Sequence, residues 1–227
     1  LRSEVMNKTS VVIFGNRTFA DLTRFCLLHD SPWQVVAFTV DKEHVTEKVH
    51  DGLPVVPFED LPQIYPPAST KILISLGYAQ INGLRKDRFY QAMEMGYEPI
   101  TYVSSRAVVW PDTPLGKNCL VFEQAVLQPL CRIGDNVIIR SGANIGHHCL
   151  IGNHSFVSTG VTFGGNVVVG EQCFFGVGAV VRNGIRIADR TFVGAGAVVL
   201  TDTEPDGVYV RNPARKIDKT PMEVSSR

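Results

Sequence analysis

The stretch NIGHHCLIGNHSFVSTGVTFGGNVVVG, residues 144–170, repeats itself every six positions. Ile145, Ile151, Val157, Phe163 and Val169 are large and apolar, and Ala143, Cys149, Ser155, Val161 and Val167, two places before each, are mostly small. Followed outward, a large apolar residue stands at every sixth position from Val103 to Val199 with no insertion. With 44% of residues hydrophobic, so long a run arises by chance on the order of once in a million trials, so the period is a structural repeat. A strand alternates its side chains between faces, so the large residue and the small one two before it point the same way. One large and one small inward residue per unit, often followed by Gly, packs a narrow triangular prism. Three units make one coil, and equivalent residues of successive coils stack about 4.8 Å apart.

The register accounts for the cysteines as well. Cys119, Cys131, Cys149 and Cys173 occupy the small inward place, where a compact apolar thiol packs. Cys26 falls in a helical pattern, and no C-x-x-C pair exists, so neither thiol chemistry nor a thiolate metal site is expected.

The rest of the chain has a different composition. Residues 1–102 hold 5 of the 20 glycines and residues 103–227 hold 15, which divides the 227 residues into two domains at that point. The first part alternates apolar runs with helix-like stretches: VVIFG (11–15), a helix over 20–29, QVVAFTV (34–40), ILISLGY (72–78), a helix over 82–95 and a strand near Ile100. That alternation predicts a small Rossmann-like α/β domain with a parallel sheet. The Pro-rich piece from Leu53 to Pro67 reads as a surface connection. Twenty-two basic residues balance 22 acidic ones, which leaves no electrostatic footprint for nucleic acid or an anionic membrane. No apolar run reaches the roughly 18 residues of a membrane span, and Val11–Phe14 is too short for a signal-peptide core, so a cytoplasmic location is expected.

Candidate chemistry lies where the repeat carries residues it does not need. His147 and His148 fall just past the inward Ile145, near a prism corner, and one coil above His147 stands Gly165, the second glycine of FGGN. An imidazole can take a proton near neutral pH, and a glycine N–H with no side chain over it can hold a developing oxyanion. His148 and His154 occupy equivalent places on adjacent faces and diverge, so no zinc site is expected.

The unbroken hexapeptide register, together with IGHHCLIG, STG and GGNVVVG, resembles the hexapeptide-repeat nucleotide-sugar acetyltransferases, the group of the bacillosamine N-acetyltransferases and the sialic-acid O-acetyltransferases. That resemblance implies an N-terminal α/β domain that binds the nucleotide-linked sugar, followed by a left-handed parallel β-helix. It implies His147 as general base and the Gly165 amide as oxyanion donor. In the family Asp or Glu usually follows the base and orients it. Here His148 stands in that place, a substrate-lining position, which leaves Glu123 or Asp135, from this subunit or a neighbour, as candidate orienting carboxylates. The family's second histidine is replaced by Phe156.

The same resemblance implies acetyl-CoA as co-substrate, without a metal, lying between the β-helices of a homotrimer with active sites between subunits. Gly178, Gly194 and Gly196 would admit the pantetheine arm, and Arg215 and Lys216 of VRNPARK would meet its phosphates. On the α/β domain the phosphate loop is reduced to FGNRT. Gly15 and Asn16 remain there, Asp41 would accept from a ribose or base, and Gly77 and Tyr78 end the third strand at the ligand-binding edge. The expected activity is N-acetylation of a nucleotide-linked deoxyamino sugar in bacterial surface glycan synthesis. Sugar O-acetylation and a non-catalytic nucleotide-sugar sensor are the alternatives.

Overall fold

Each hexapeptide folds as a two-residue strand followed by a tight turn in the computed structural model, which describes residues 9–211. The turn bends sharply because its second residue takes a left-handed backbone, with φ of +54° to +63° at Asn118, Gln124, Asn136, His148, His154 and Asn166. Asn and glycine tolerate that conformation best, and Gly142, Gly160 and Gly184 fill the same place elsewhere. Strands one coil apart pair in parallel, Ile138 with Phe156, Asn144 with Thr162 and Arg132 with Leu150. The product is a left-handed parallel β-helix with sheets of seven, six and four strands. In chain order these are the docking, second and third faces. Val121, Leu127, Ile139, Ile145 and Val157 fill the interior completely buried, with the four inward cysteines among them, all unpaired. Burial pushes the thiols of Cys119 and Cys173 up to about 11, so they are inert packing groups.

The α/β domain comprises β1 (Thr9–Phe14), α1 (Thr18–His29), β2 (Trp33–Val40), β3 (Val49–His50), β4 (Leu53–Pro57), α2 (Leu61–Ile64), β5 (Thr70–Ile74) and α3 (Gly83–Glu94). Its sheet runs β3-β4-β2-β1-β5, and β4, β2, β1 and β5 are mutually parallel. The Pro-rich piece is therefore no mere surface connection. Pro54 and Pro57 sit toward the ends of β4, which pairs with β2, and Val55, Val56, Phe58 and Leu61 are buried. The third apolar run stops as a strand at Ile74, and near Ile100 only a single bridge forms, Ile72 with Pro99.

The two parts share a core. Outward-facing Leu120, Ile138, Phe156 and Phe174 of the docking face pack with Val11, Ile13, Phe38 and Leu73. Beside this apolar seam runs a polar ladder at the corner between the third and docking faces. Asn118 Nδ2 donates to Asn136 Oδ1 (2.8 Å), Asn136 Nδ2 bonds His154 Nδ1 (2.9 Å), and His154 Nε2 meets the Tyr90 hydroxyl (3.2 Å). Asn118 also exchanges hydrogen bonds with both backbone groups of Ile74. Arg85 of α3, completely buried, closes the ladder by donating to the Asn136 carbonyl, the His154 carbonyl (2.9 Å) and Asn82 Oδ1 (2.9 Å). A buried guanidinium needs such a set of acceptors to offset its desolvation.

Candidate active site

His147 sits on the corner between the second and third faces, on the prism edge opposite the docking face. Its backbone is pinned from both sides. The N–H donates to Gln128 Oε1 (3.1 Å), and the carbonyl accepts from Asn166 N (2.8 Å) in the next coil. The imidazole is exposed and lies directly against Gly165. A Cβ built there would stand 2.5 Å from Nε2, 2.9 Å from Nδ1 and in collision with Cε1. The ring thus occupies the space that a side chain at 165 would need, and the two residues the sequence paired are in contact. No hydrogen-bond acceptor meets the Gly165 N–H among the described residues, so an unpaired backbone donor belongs to the residue against which the imidazole lies.

His148 is the next residue round the corner, exposed at φ +59°. Its Nδ1 lies 3.0 Å from His147 Nδ1, with the rings perpendicular. The carboxylates expected to orient the base do not reach it within the chain. Glu123 accepts from the Ser141 hydroxyl (2.7 Å), and Asp135 caps the Lys117 N–H (2.7 Å) on a different corner. His154 belongs to the interdomain ladder. Burial, with the Arg85 and Lys86 cations nearby, pushes it down to about 4, so it stays neutral.

The α/β domain holds a second cleft of about 540 Å³ at the carboxyl ends of β1, β2 and β5. Gly15, Asn16, Asp41 and Gly77 all line it, joined by Arg17, Ser75 and Arg88. Gly15 is fixed by two constraints. Its φ is +116°, and a Cβ would press to 2.9 Å from the Ser75 carbonyl oxygen. The first turn of α1 opens next to this loop with no side-chain cap at Arg17, which leaves helix N–H groups for an anion. Sequence reasoning missed Arg88. Its Nε lies 2.7 Å from Asp41 Oδ1 and its Nη2 donates to Oδ2 (2.8 Å), so the Asp41 carboxylate already has a cationic partner. Tyr78 leans out of the cleft, its ring 4.3 Å from that of Phe174, as a packing group half-exposed at the domain junction.

The glycines expected to line the coenzyme do not gather round His147 within the chain. Gly178 and Gly196 are left-handed corner residues (φ +66° and +63°) on the edge between the docking and second faces, and Gly194 lies under Val210 near that edge. Arg215 and Lys216 fall outside the described residues. Among the described residues no group of three or more His, Cys, Asp or Glu side chains is placed to hold a metal ion, and no helix is long and apolar enough to cross a membrane.

Comparison with known proteins gives the repeat a class. Residues 130–165 match the bacterial transferase hexapeptide (six repeats) model, and residues 166–201 match the hexapeptide repeat of succinyl-transferase. No curated protein sequence matches. Among solved structures, the chain is similar to PerB from Caulobacter crescentus, solved with CoA and GDP-perosamine. The identity is 29% and the TM-score 0.81, over 91% of this chain and 96% of that one. It is also similar to the acetyltransferase domain of PglB from Neisseria gonorrhoeae, at 25% identity and a TM-score of 0.80 over 92% of this chain and 100% of that one. A mutant of perosamine N-acetyltransferase from Caulobacter crescentus, again with CoA and GDP-perosamine, matches at 26% identity and a TM-score of 0.68 over 92% and 97% of the two chains.

Proposed function

We propose that this chain, an acyltransferase of the hexapeptide-repeat class, moves acetyl from acetyl-CoA to the amino group of a nucleotide-linked deoxyamino sugar. The observation that carries the reading is the contact of the His147 ring with Gly165, base beside oxyanion donor. Nε2 of His147 takes a proton as the amine nitrogen attacks the thioester carbon, and the Gly165 N–H holds the oxygen as it gains charge. Collapse breaks the C–S bond, and the His147 imidazolium returns its proton to the leaving CoA thiolate. For Nε2 to accept, Nδ1 must carry the ring's proton and donate it to His148 Nδ1. His148 then does the orienting that a carboxylate would do, without a negative charge.

The nucleotide diphosphate would take the α/β cleft, its phosphates at the open first turn of α1 and its base or ribose at the Asp41–Arg88 pair. That cleft adjoins the docking face, whereas His147 stands on the opposite edge of the same prism. One chain therefore cannot bring its own cleft to its own base, and we assign the complete site to two copies in a homotrimer. The outward positions of the second face support a copy-to-copy contact, since Val108, Val180 and Val198 expose apolar side chains there.

Incubating the protein with acetyl-CoA and UDP-, dTDP- or GDP-linked amino sugars, while following thiol release, tests the activity. His147→Ala is expected to abolish turnover while acetyl-CoA still binds by calorimetry. Undiminished turnover in that variant would remove the base from His147, and no thiol release with any acceptor would remove the activity.

A further inference from the structure

Arg140 carries a positive charge that no anion in the chain answers. The residue is half-buried, yet its side chain makes no hydrogen bond or ion pair among the described residues, and its Nη1 is shut off from solvent without an acceptor. Its Cζ lies 4.3 Å from the centroid of the Phe122 ring and 5.2 Å from that of Phe19. Glu123, on the same edge of the prism, takes the Ser141 hydroxyl instead (2.7 Å). Burial lowers the Arg140 pKa, as it does for a cation held where water solvates it poorly. A guanidinium kept there with π-faces as its partners is short of an anion.

The two rings place it at a junction. Phe19 belongs to the first turn of α1, where the reading above puts the nucleotide phosphates, and it lines the α/β cleft. The same ring packs on Phe122 and Phe156 of the β-helix, with centroids 6.1 and 6.3 Å away. The cleft therefore meets the prism at Phe19, and Arg140 lies just beyond it. Arg140 follows the docking-face strand Ile138–Ile139 and precedes the left-handed Gly142, so it stands on the edge between the docking and second faces. The strand Asn144–Ile145 crosses the second face from there to His147. When the second faces of three copies turn toward a common axis, the Arg140 edge of one copy meets the His147 edge of the next at the level of the same coil.

We infer that Arg140 binds the sugar-bearing phosphate of the nucleotide-linked substrate and aims the sugar out of the cleft at the adjoining copy's His147. The inference rests on the acetyl-transfer reading above. With the base or ribose at Asp41–Arg88 and the first phosphate at α1, the second phosphate is the group that reaches Phe19 and the prism edge. Its oxygen supplies the acceptor that Nη1 lacks, and a hydrogen bond between charged groups is worth about 10- to 100-fold in affinity.

Calorimetry with UDP, dTDP and GDP, and with the matching monophosphates, reads the contribution of the second phosphate directly. The wild type should favour at least one diphosphate over its monophosphate. In Arg140→Met and Arg140→Gln that ratio should shrink by about 10- to 100-fold while the monophosphate binds as before. The KM for the nucleotide sugar should rise by a similar factor, with the KM for acetyl-CoA unchanged. Because an unanswered charge is removed, both variants should melt at or above the wild-type temperature. An unchanged ratio in both variants, or a wild type that binds none of the diphosphates, overturns the assignment. A lower melting temperature in both also overturns it, since Arg140 would then be a strut between two rings. Measured well below the raised KM, co-expressed Arg140→Met and His147→Ala subunits should recover about a quarter of wild-type turnover. No gain over the Arg140→Met protein alone places both residues in one chain's site and overturns the aim across the seam. A wild type that binds diphosphate through Arg140 but releases thiol with no nucleotide-linked amino sugar removes the acetyl-transfer reading and leaves the phosphate site standing.

Discussion

At position 165 the demand for glycine comes from one neighbour. An alanine there would drive its methyl into the His147 ring, and because the ring is exposed it can swing aside at little cost to the fold. Gly165→Ala should leave the melting temperature close to wild type and lower kcat by about 100-fold, the usual consequence of misplacing a base by an ångström. The 18-residue stacking made this pair readable from sequence, because the repeat fixes which residues meet in adjacent coils. His154 shows where such reading stops. The repeat places it at a corner, but only the docked α/β domain buries it. Its pKa of about 4 lies below the 6.5 of an exposed imidazole. Above pH 6.5 neither state is protonated there and no stability is lost. As pH falls toward 4 the unfolded chain binds a proton that the folded chain refuses, so stability declines by about 3 kcal/mol and then levels off. His50, raised by hydrogen bonds to Asp21 and Glu47 against some desolvation, acts in the opposite sense, losing its contribution as pH rises. Comparing urea midpoints of wild type and His154→Asn at pH 7.5 and pH 5 isolates the first effect. The variant should show the shallower dependence.

The element that joins the two parts is α3. Its Arg85 enters the β-helix corner, and Arg88, one turn on, reaches Asp41 in the cleft, so one helix is tied at both places. Arg85→Met would leave the Asn136 and His154 carbonyls and Asn82 Oδ1 without their donor. A loss of about 3–5 kcal/mol in equilibrium unfolding is expected, the range for breaking a buried charged network. The helix itself was legible over 82–95, but not the partner of its buried arginine, because a charge in an amphipathic helix reads as solvated until something covers it. The sequence did carry a signal of what covers it. Leu120, Ile138, Phe156, Phe174 and Phe192 are apolar in the outward place at one-coil spacing, which marks the face that meets another domain. The misreading of Leu53–Pro67 has a similar cause. Prolines argued for a loop, yet Pro54 and Pro57 stand toward the ends of β4, where few ladder bonds are lost.

On the scale of the whole molecule, the prism sets the α/β cleft beside one face and His147 on the opposite edge. If the cleft of one copy serves the base of the next, two defective chains can repair each other. A mixed preparation of His147→Ala and Arg88→Ala subunits, co-expressed so that trimers form at random, should recover about a quarter of wild-type turnover, the share of interfaces that pair an intact cleft with an intact base. Absence of any recovery would place both halves of the site in one chain. The polar ladder has a consequence for the order in which the protein is made. Arg85 takes its partners from residues 51 and 69 positions further along the chain, and Asn82 bonds the Cys173 carbonyl 91 positions on. During synthesis at roughly 5–20 residues per second, α3 waits on the order of 3–14 s for the coils that receive its guanidinium. Over that interval the α/β domain is an incomplete body with its future interface in water, so the ribosome and the chaperones around it meet an intermediate that the finished molecule no longer displays.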